Sequence, residues 1–67
     1  MEVKSATEAT EIAQKFLSKY RLFTSPLKAV REGDVWFVDI DVGPLVKQVA
    51  RVKIDAKTGE ILEYSLP

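Results

Sequence analysis

Sixty-seven residues with no cysteine and no histidine make a single domain, residues 1–67, with neither a disulfide nor a Cys/His zinc site to hold it together. Ten basic side chains balance ten acidic ones, dispersed along the chain, so no long-range field is expected to steer it toward nucleic acid or an anionic membrane. No apolar run approaches the roughly 18 residues of a membrane span, and the opening MEVKSATEAT lacks a signal-peptide core.

The helix comes first. In SATEATEIAQKFLSKY, Ala9, Ile12, Ala13, Phe16, Leu17 and Tyr20 recur at three- and four-residue spacing and form one apolar stripe, which predicts a helix over residues 6–19. Ser5 with Glu8 fits a capping box, and Val3 is placed to pack on Ala9. Glu8 and Glu11 near the start and Lys15, Lys19 and Arg21 near the end complement the helix dipole, and Glu11 with Lys15 makes a favourable pair four apart. FTSPLK breaks the helix, because Ser25 precedes Pro26.

Strands follow. LKAVRE (27–32) is a weaker first strand, EGD (32–34) a turn, and VWFVDIDV (35–42) a strong second strand rich in β-branched and aromatic residues. GPL (43–45) interrupts, VKQVARVKID (46–55) is the third strand and EILEYSL (60–66) the fourth. The order predicts an α+β fold: one N-terminal helix packed on a three- to four-stranded antiparallel meander sheet. Alternation puts Trp36, Val38, Ile40 and Val42 on one face with Val46, Gln48, Ala50, Val52 and Ile54 of the third strand, against the helix. Val35, Phe37, Asp39 and Asp41 share the other face with Val49 and Arg51. A three-residue GPL loop sets Asp41 opposite Lys47 and Phe37 opposite Arg51.

In VARVKIDAKTGEILEY, the Asp55 carboxylate is placed to accept from the amides of the turn it begins, and Gly59 suits the left-handed residue that closes it. Asp55, Thr58 and Gly59 therefore have a structural reason to be there. A calcium loop needs more oxygen ligands than Asp55, Thr58 and Glu60 supply.

VKIDAKTGEIL resembles the strand–turn–strand signature of PepSY domains, in which a hydrophobic strand runs into Asp-Ala-x-Thr-Gly and on into a Glu/Lys-Ile/Val-Leu strand. EATEIAQKFL is similar to the opening helix of that family, and DVWFVDIDV to its aromatic second strand, so the resemblance covers about Ala6 to Leu62. It implies a small α+β module of the kind found in propeptides of thermolysin-like metalloproteases and in cell-surface or membrane proteins, proposed to inhibit proteases or to regulate the local protease environment. It implies no catalytic residues. The absence of an export signal, an attached enzyme and a membrane segment departs from that setting.

Asp39 and Asp41 lie roughly 7 Å apart along one strand face, the arrangement of an acid/base pair or a cation site; the simpler reading is a solvated face neutralised by Lys47, Arg51 and Lys53. With no His, no Cys and no Gly-rich phosphate loop, the chain reads as non-enzymatic and free of cofactors and metals. Trp36 is read as core, with a ligand groove beside Phe16, Tyr20 and Leu27 as the alternative; on that alternative the protein is a small-molecule or peptide carrier. Asp39 and Asp41 also interrupt any basic stripe for nucleic acid.

Val35, Phe37 and Val49 are large apolar residues on the face assigned to solvent. A four-residue final loop, 56–59, puts Ile61 with Ile54 on the core side and adds Leu62 and Tyr64 to that open face; a three-residue loop does the reverse. The first is preferred. Val35, Phe37, Val49, Leu62 and Tyr64, with the stems of Arg51 and Lys53, then make an interaction surface for a protein partner or for self-association, most simply a dimer. A core of this size supplies about 3–5 kcal/mol of net stability, so association also supports the fold. The composition lacks Asn, Cys and His and leans toward a thermophile. The expected setting is cytoplasmic, with a mature secreted domain carrying an added Met as the alternative.

Overall fold

A computed structural model describes residues 2–67. The order is α1 (Ala6–Leu17), β1 (Ser25–Glu32), β2 (Val35–Asp41), β3 (Val49–Asp55) and β4 (Ile61–Ser65). The strands form one antiparallel sheet in the order β1-β2-β3-β4, and the helix packs on one of its faces, so the α+β meander is the fold.

The helix begins where its cap dictates. Ser5 is extended and its Oγ accepts from the Glu8 amide at 3.2 Å. Glu8 reaches back to the Lys4 amide at 2.8 Å rather than to that of Ser5, a capping box displaced by one residue. Ala9, Ala13 and Leu17 are fully buried on the helix's inner stripe, and Val3 is buried beside them. The helix stops at Leu17, before the expected Lys19, because the amides of Tyr20 and Arg21 both converge on the Leu17 carbonyl at 2.9 Å.

β1 starts at Ser25, two residues earlier than the sequence pattern indicates, and takes in Pro26. An edge strand tolerates proline because its outward N–H has no partner to lose. β1 and β2 meet at Glu32 and Val35, across a tight turn in which Gly33 sits at φ +62°.

The β2–β3 register differs from the expected one. Asp41 faces Val49, Asp39 faces Arg51 and Phe37 faces Lys53. β3 therefore begins at Val49 rather than Val46, and Val46 and Gln48 are exposed loop residues. The cause is Asp41, whose Oδ1 accepts from the Gly43 amide at 3.0 Å and the Gln48 amide at 3.1 Å, while the Val42 amide donates to the Gln48 carbonyl at 2.8 Å. A compact loop over 42–48 is more favourable than the short GPL turn because it gives the Val42, Gly43 and Gln48 amides partners. The slip is two residues, so every β3 side chain keeps its face.

The core lies between helix and sheet: Val3, Ala9, Ala13 and Leu17 against Trp36, Val38, Ile40, Val42, Ala50, Val52, Ile54 and Ala56. The helix sits over β1, β2 and β3; no Cα of α1 comes within 8 Å of one in β4.

Candidate interaction surface

The two carboxylates of β2 are each committed within the chain. Asp39, 7 % exposed, accepts from Arg51 through both oxygens, at 2.9 and 3.3 Å, and has the Lys28 ammonium at 3.9 Å. The Asp39 carboxylate holds the Arg51 guanidinium pKa above its ordinary value, through the hydrogen bond first and its charge second. Asp41 organises the 42–48 loop, and the amides of Gly43 and Gln48 lower its pKa from the ordinary 3.8. A depressed carboxylate stabilises the fold above its unfolded pKa and loses that contribution as pH falls through the folded value. The gap in stability between wild type and Asp41→Asn is therefore widest at neutral pH and closes in acid, below pH 3.8, as urea denaturation followed by Trp36 emission will show. A gap independent of pH would mean that the amides gain nothing from the negative charge.

The Asp55 turn is a corner built by its own side chains. Asp55 Oδ1 accepts from the amides of Lys57 at 2.8 Å and Thr58 at 3.3 Å. Thr58 Oγ1 accepts from Glu60 at 3.2 Å. Gly59, at φ +82°, donates its amide to the Asp55 carbonyl at 2.8 Å. Its neighbour Ala56 is tied to two other segments, donating to the Asp34 carbonyl at 2.8 Å and accepting from the Val3 amide at 2.7 Å. Trp36 closes the same knot: it is buried, and its indole N–H donates to the Val3 carbonyl at 3.0 Å. The aromatic partners of Phe16 are Tyr20 and Tyr64, not Trp36.

The six residues expected to form one patch divide between two surfaces. Val35, Phe37, Val49 and Arg51 share the outer sheet face. There Phe37 lies between Val30 on β1 and Lys53 on β3, with the Lys53 ammonium 5.6 Å from its ring centroid. Lys53 also pairs with Glu63 at 2.7 Å, and this bond lowers the Glu63 pKa. Charged pairs thus flank the apolar row Val30–Phe37, in which Val30 is exposed. Val30 carries no signal in the sequence because its strand is weakly patterned; only the pairing with Phe37 reveals it.

Tyr64 is the correction. The final loop spans 56–59 as preferred, and Ile61 does face Ile54. The register then shifts between Lys53 and Ile54, so that Tyr64 faces Val52, a fully buried core position. One extra residue in β4 turns the rest of the strand over. Tyr64 consequently lies on the helix side, edge-to-face with Phe16 at 4.8 Å and stacked with Tyr20 at 6.0 Å between ring centroids. Such aromatic contacts are worth about 0.5–1.5 kcal/mol each beyond the area they bury, which favours the bulge over a regular ladder.

The result is a groove between α1 and β4. Phe16, Ile61, Leu62 and Tyr64 line one part, and Ile12, Lys15 and Lys19 border its continuation along the helix. Leu62 and Tyr64 are about half exposed. Beside the groove runs the outer edge of β4, which has no strand neighbour. Phe16 and Tyr20 read as core from their spacing; they flank the core because the helix is offset toward β1.

Among the described residues no helix is long and apolar enough to cross a membrane, and no three carboxylates gather as a metal ion would require. Comparison with family models, with curated proteins and with solved structures returned no match.

Proposed function

We propose that this chain is a non-enzymatic interaction module whose working surface is the β4 margin, and that the occupant of that margin is β4 of a second copy. The observation that carries the reading is the offset helix. It leaves Phe16, Ile61, Leu62, Glu63 and Tyr64 uncovered beside the outer edge of β4, the last strand of the sheet, so an incoming strand gains main-chain hydrogen bonds and apolar contacts together. A twofold pairing of two β4 strands sets each Leu62 and Tyr64 against the partner copy. For a small domain with a modest core, that burial adds to stability. The resemblance to PepSY domains supports an extended segment of a protease as the competing occupant of the same edge. The outer-face row around Phe37 adjoins β4 through the Lys53–Glu63 pair.

Sedimentation equilibrium over a wide concentration range tests this. The wild-type chain is expected to dimerise with rising concentration, and Leu62→Lys to stay monomeric with an unchanged circular dichroism spectrum. Leu62 is exposed and lies at the bulge, so the substitution leaves the core intact. A strictly monomeric wild type, or a dimer indifferent to Leu62→Lys, would refute the second-copy reading.

A further inference from the structure

The zero net charge conceals a division. Between Glu11 and Glu32 the chain carries Lys15, Lys19, Arg21, Lys28 and Arg31 and no acidic residue; between Asp41 and Asp55 it carries Lys47, Arg51 and Lys53 and again none. The fold turns this segregation in sequence into a segregation in space. An eight-residue strand is roughly 26 Å long and a four-stranded sheet only about 14 Å wide between its outer strands. The 34 Å axis of the 34 × 19 × 18 Å chain therefore runs along the strands. One end of it carries the β1–β2 and β3–β4 turns, with Glu32, Asp34, Asp55 and Glu60, of which Asp34 is paired with Arg31 and Lys57. The other carries the 18–24 connection and the 42–48 loop, because Ser25 faces Asp41 and Asp41 faces Val49.

This second end is cationic. Asp39 is occupied by Lys28 and Arg51; Asp41 keeps its charge, held by backbone amides with Lys47 nearby, against Lys19, Arg21 and Lys47. Arg21 donates to the Tyr20 carbonyl and to a main-chain oxygen of Pro67. Lys19 and Lys47 make no ion pair among the described residues. A balanced total charge thus leaves a local excess of cations at this end.

The same end is apolar at its tips. The three most exposed large apolar side chains among the described residues are Leu22 at 107 %, Leu45 at 97 % and Val46 at 72 %. All three lie in these two loops, and Tyr20 and Phe23 stand beside them, also exposed. Each leucine left in water forgoes the favourable transfer that burial of an apolar side chain brings. The Leu45 tip is also held in place. The 42–48 loop is fastened by Asp41, and Gly43 is packed against the Val46 backbone so closely that a Cβ there would overlap the Val46 carbonyl oxygen.

We propose that this end of the molecule docks on the surface of an anionic lipid bilayer, with Leu22 and Leu45 entering the acyl boundary and Lys19 and Lys47 meeting the headgroups. Protruding apolar tips ringed by cations fit a fluid interface, where binding combines buried apolar area with attraction to anionic lipid. A protein partner would need a pocket for each tip, and these tips are convex. Tyr20 and Phe23 fall at the level where aromatic rings favour the interface. No span of the bilayer is involved, and the end with the β1–β2 and β3–β4 turns points to solvent.

Flotation with vesicles of phosphatidylcholine, with and without phosphatidylserine, tests the proposal. The wild-type chain is expected to float with the phosphatidylserine vesicles, and less so at high salt, which screens the attraction. Lys47→Gln is expected to weaken the partition about fivefold, and Leu22→Ser with Leu45→Ser about tenfold or more. All these side chains are exposed, and unchanged Trp36 emission confirms that the fold persists. Equal absence from both vesicle types overturns the proposal, as does binding that survives the paired leucine substitution. Loss of a soluble protein partner in that variant, without vesicle binding in the wild type, would assign the end to a protein instead and also overturn it.

Discussion

Leu17→Ala is expected to cost about 2–5 kcal/mol, as much as the roughly 3–5 kcal/mol of net stability that a core of this size supplies. Leu17 is fully buried and heads the largest wholly enclosed side chains. It is the one long aliphatic side chain of α1 that is fully enclosed; Ala9 and Ala13, its buried companions on the stripe, are short. The cost is almost wholly packing. Alanine is the better helix former, so local propensity shifts in the opposite direction, and the two amides that converge on the Leu17 carbonyl do not depend on its side chain. Thermal unfolding followed by circular dichroism should find the variant largely unfolded at room temperature, whereas Leu17→Met, which conserves volume, should lose less than about 1.5 kcal/mol. A Leu17→Ala protein within about 1 kcal/mol of wild type would show that the helix contributes little to holding the sheet.

Gly43→Ala is expected to cost about 3 kcal/mol or more, at the upper end of overpacking effects. The cause is close approach. A Cβ on Gly43 would overlap the Val46 carbonyl oxygen and press within 3.0 Å of the Val46 carbonyl carbon and 3.1 Å of the Gln48 nitrogen. All three are backbone atoms, so no side-chain rotation relieves them. The loop must open, and opening it breaks the hydrogen bonds from Gly43 and Gln48 to Asp41 and from Val42 to Gln48. Amide hydrogen exchange is the direct readout: protection at Val42, Gly43 and Gln48 should collapse first, with the β1–β2 hairpin protected longest. Uniform loss across the sheet would show that this loop does not open by itself. Because the loop carries Leu45 and Val46, the variant should also lose its vesicle binding without any change at those residues.

The two proposed surfaces are a side and an end. The β4 margin offers an edge and a groove, and the cationic end offers two exposed apolar tips. Neither uses Asp39, Asp41 or the Asp55 turn, whose polar groups are engaged in holding strands and loops.

Much of this architecture is written locally. The stripe from Ala9 to Leu17, the Ser5–Glu8 cap, the alternation of β2 and the Asp55–Gly59 corner are short-range patterns, and each appears in the fold within a few residues of its expected place. Helical and extended periods, caps and turns are decided by neighbours in the chain, so one sequence suffices to read them. What it does not contain is any quantity that depends on two distant segments meeting. The 42–48 loop displaced GPL because a side chain on β2 found amides that lie beyond the turn. Tyr64 changed face because a bulge in β4 allowed it to reach Phe16 and Tyr20 on the helix side. Alternation along one strand fixes which residues share a face only until an extra residue intervenes, and the energy of that extra residue comes from contacts remote in sequence.

By itself, then, the sequence determined the class of fold, the order of its elements, the inward faces of β2 and β3 and the structural character of the Asp55 turn. The offset of the helix toward β1, the exposure of the β4 margin and the gathering of Leu22, Leu45, Lys19 and Lys47 at one end were decided only by the tertiary structure. The physical reason is the same in each case. Surface is what packing leaves over, and which side chains are left uncovered is settled by the whole set of contacts made elsewhere.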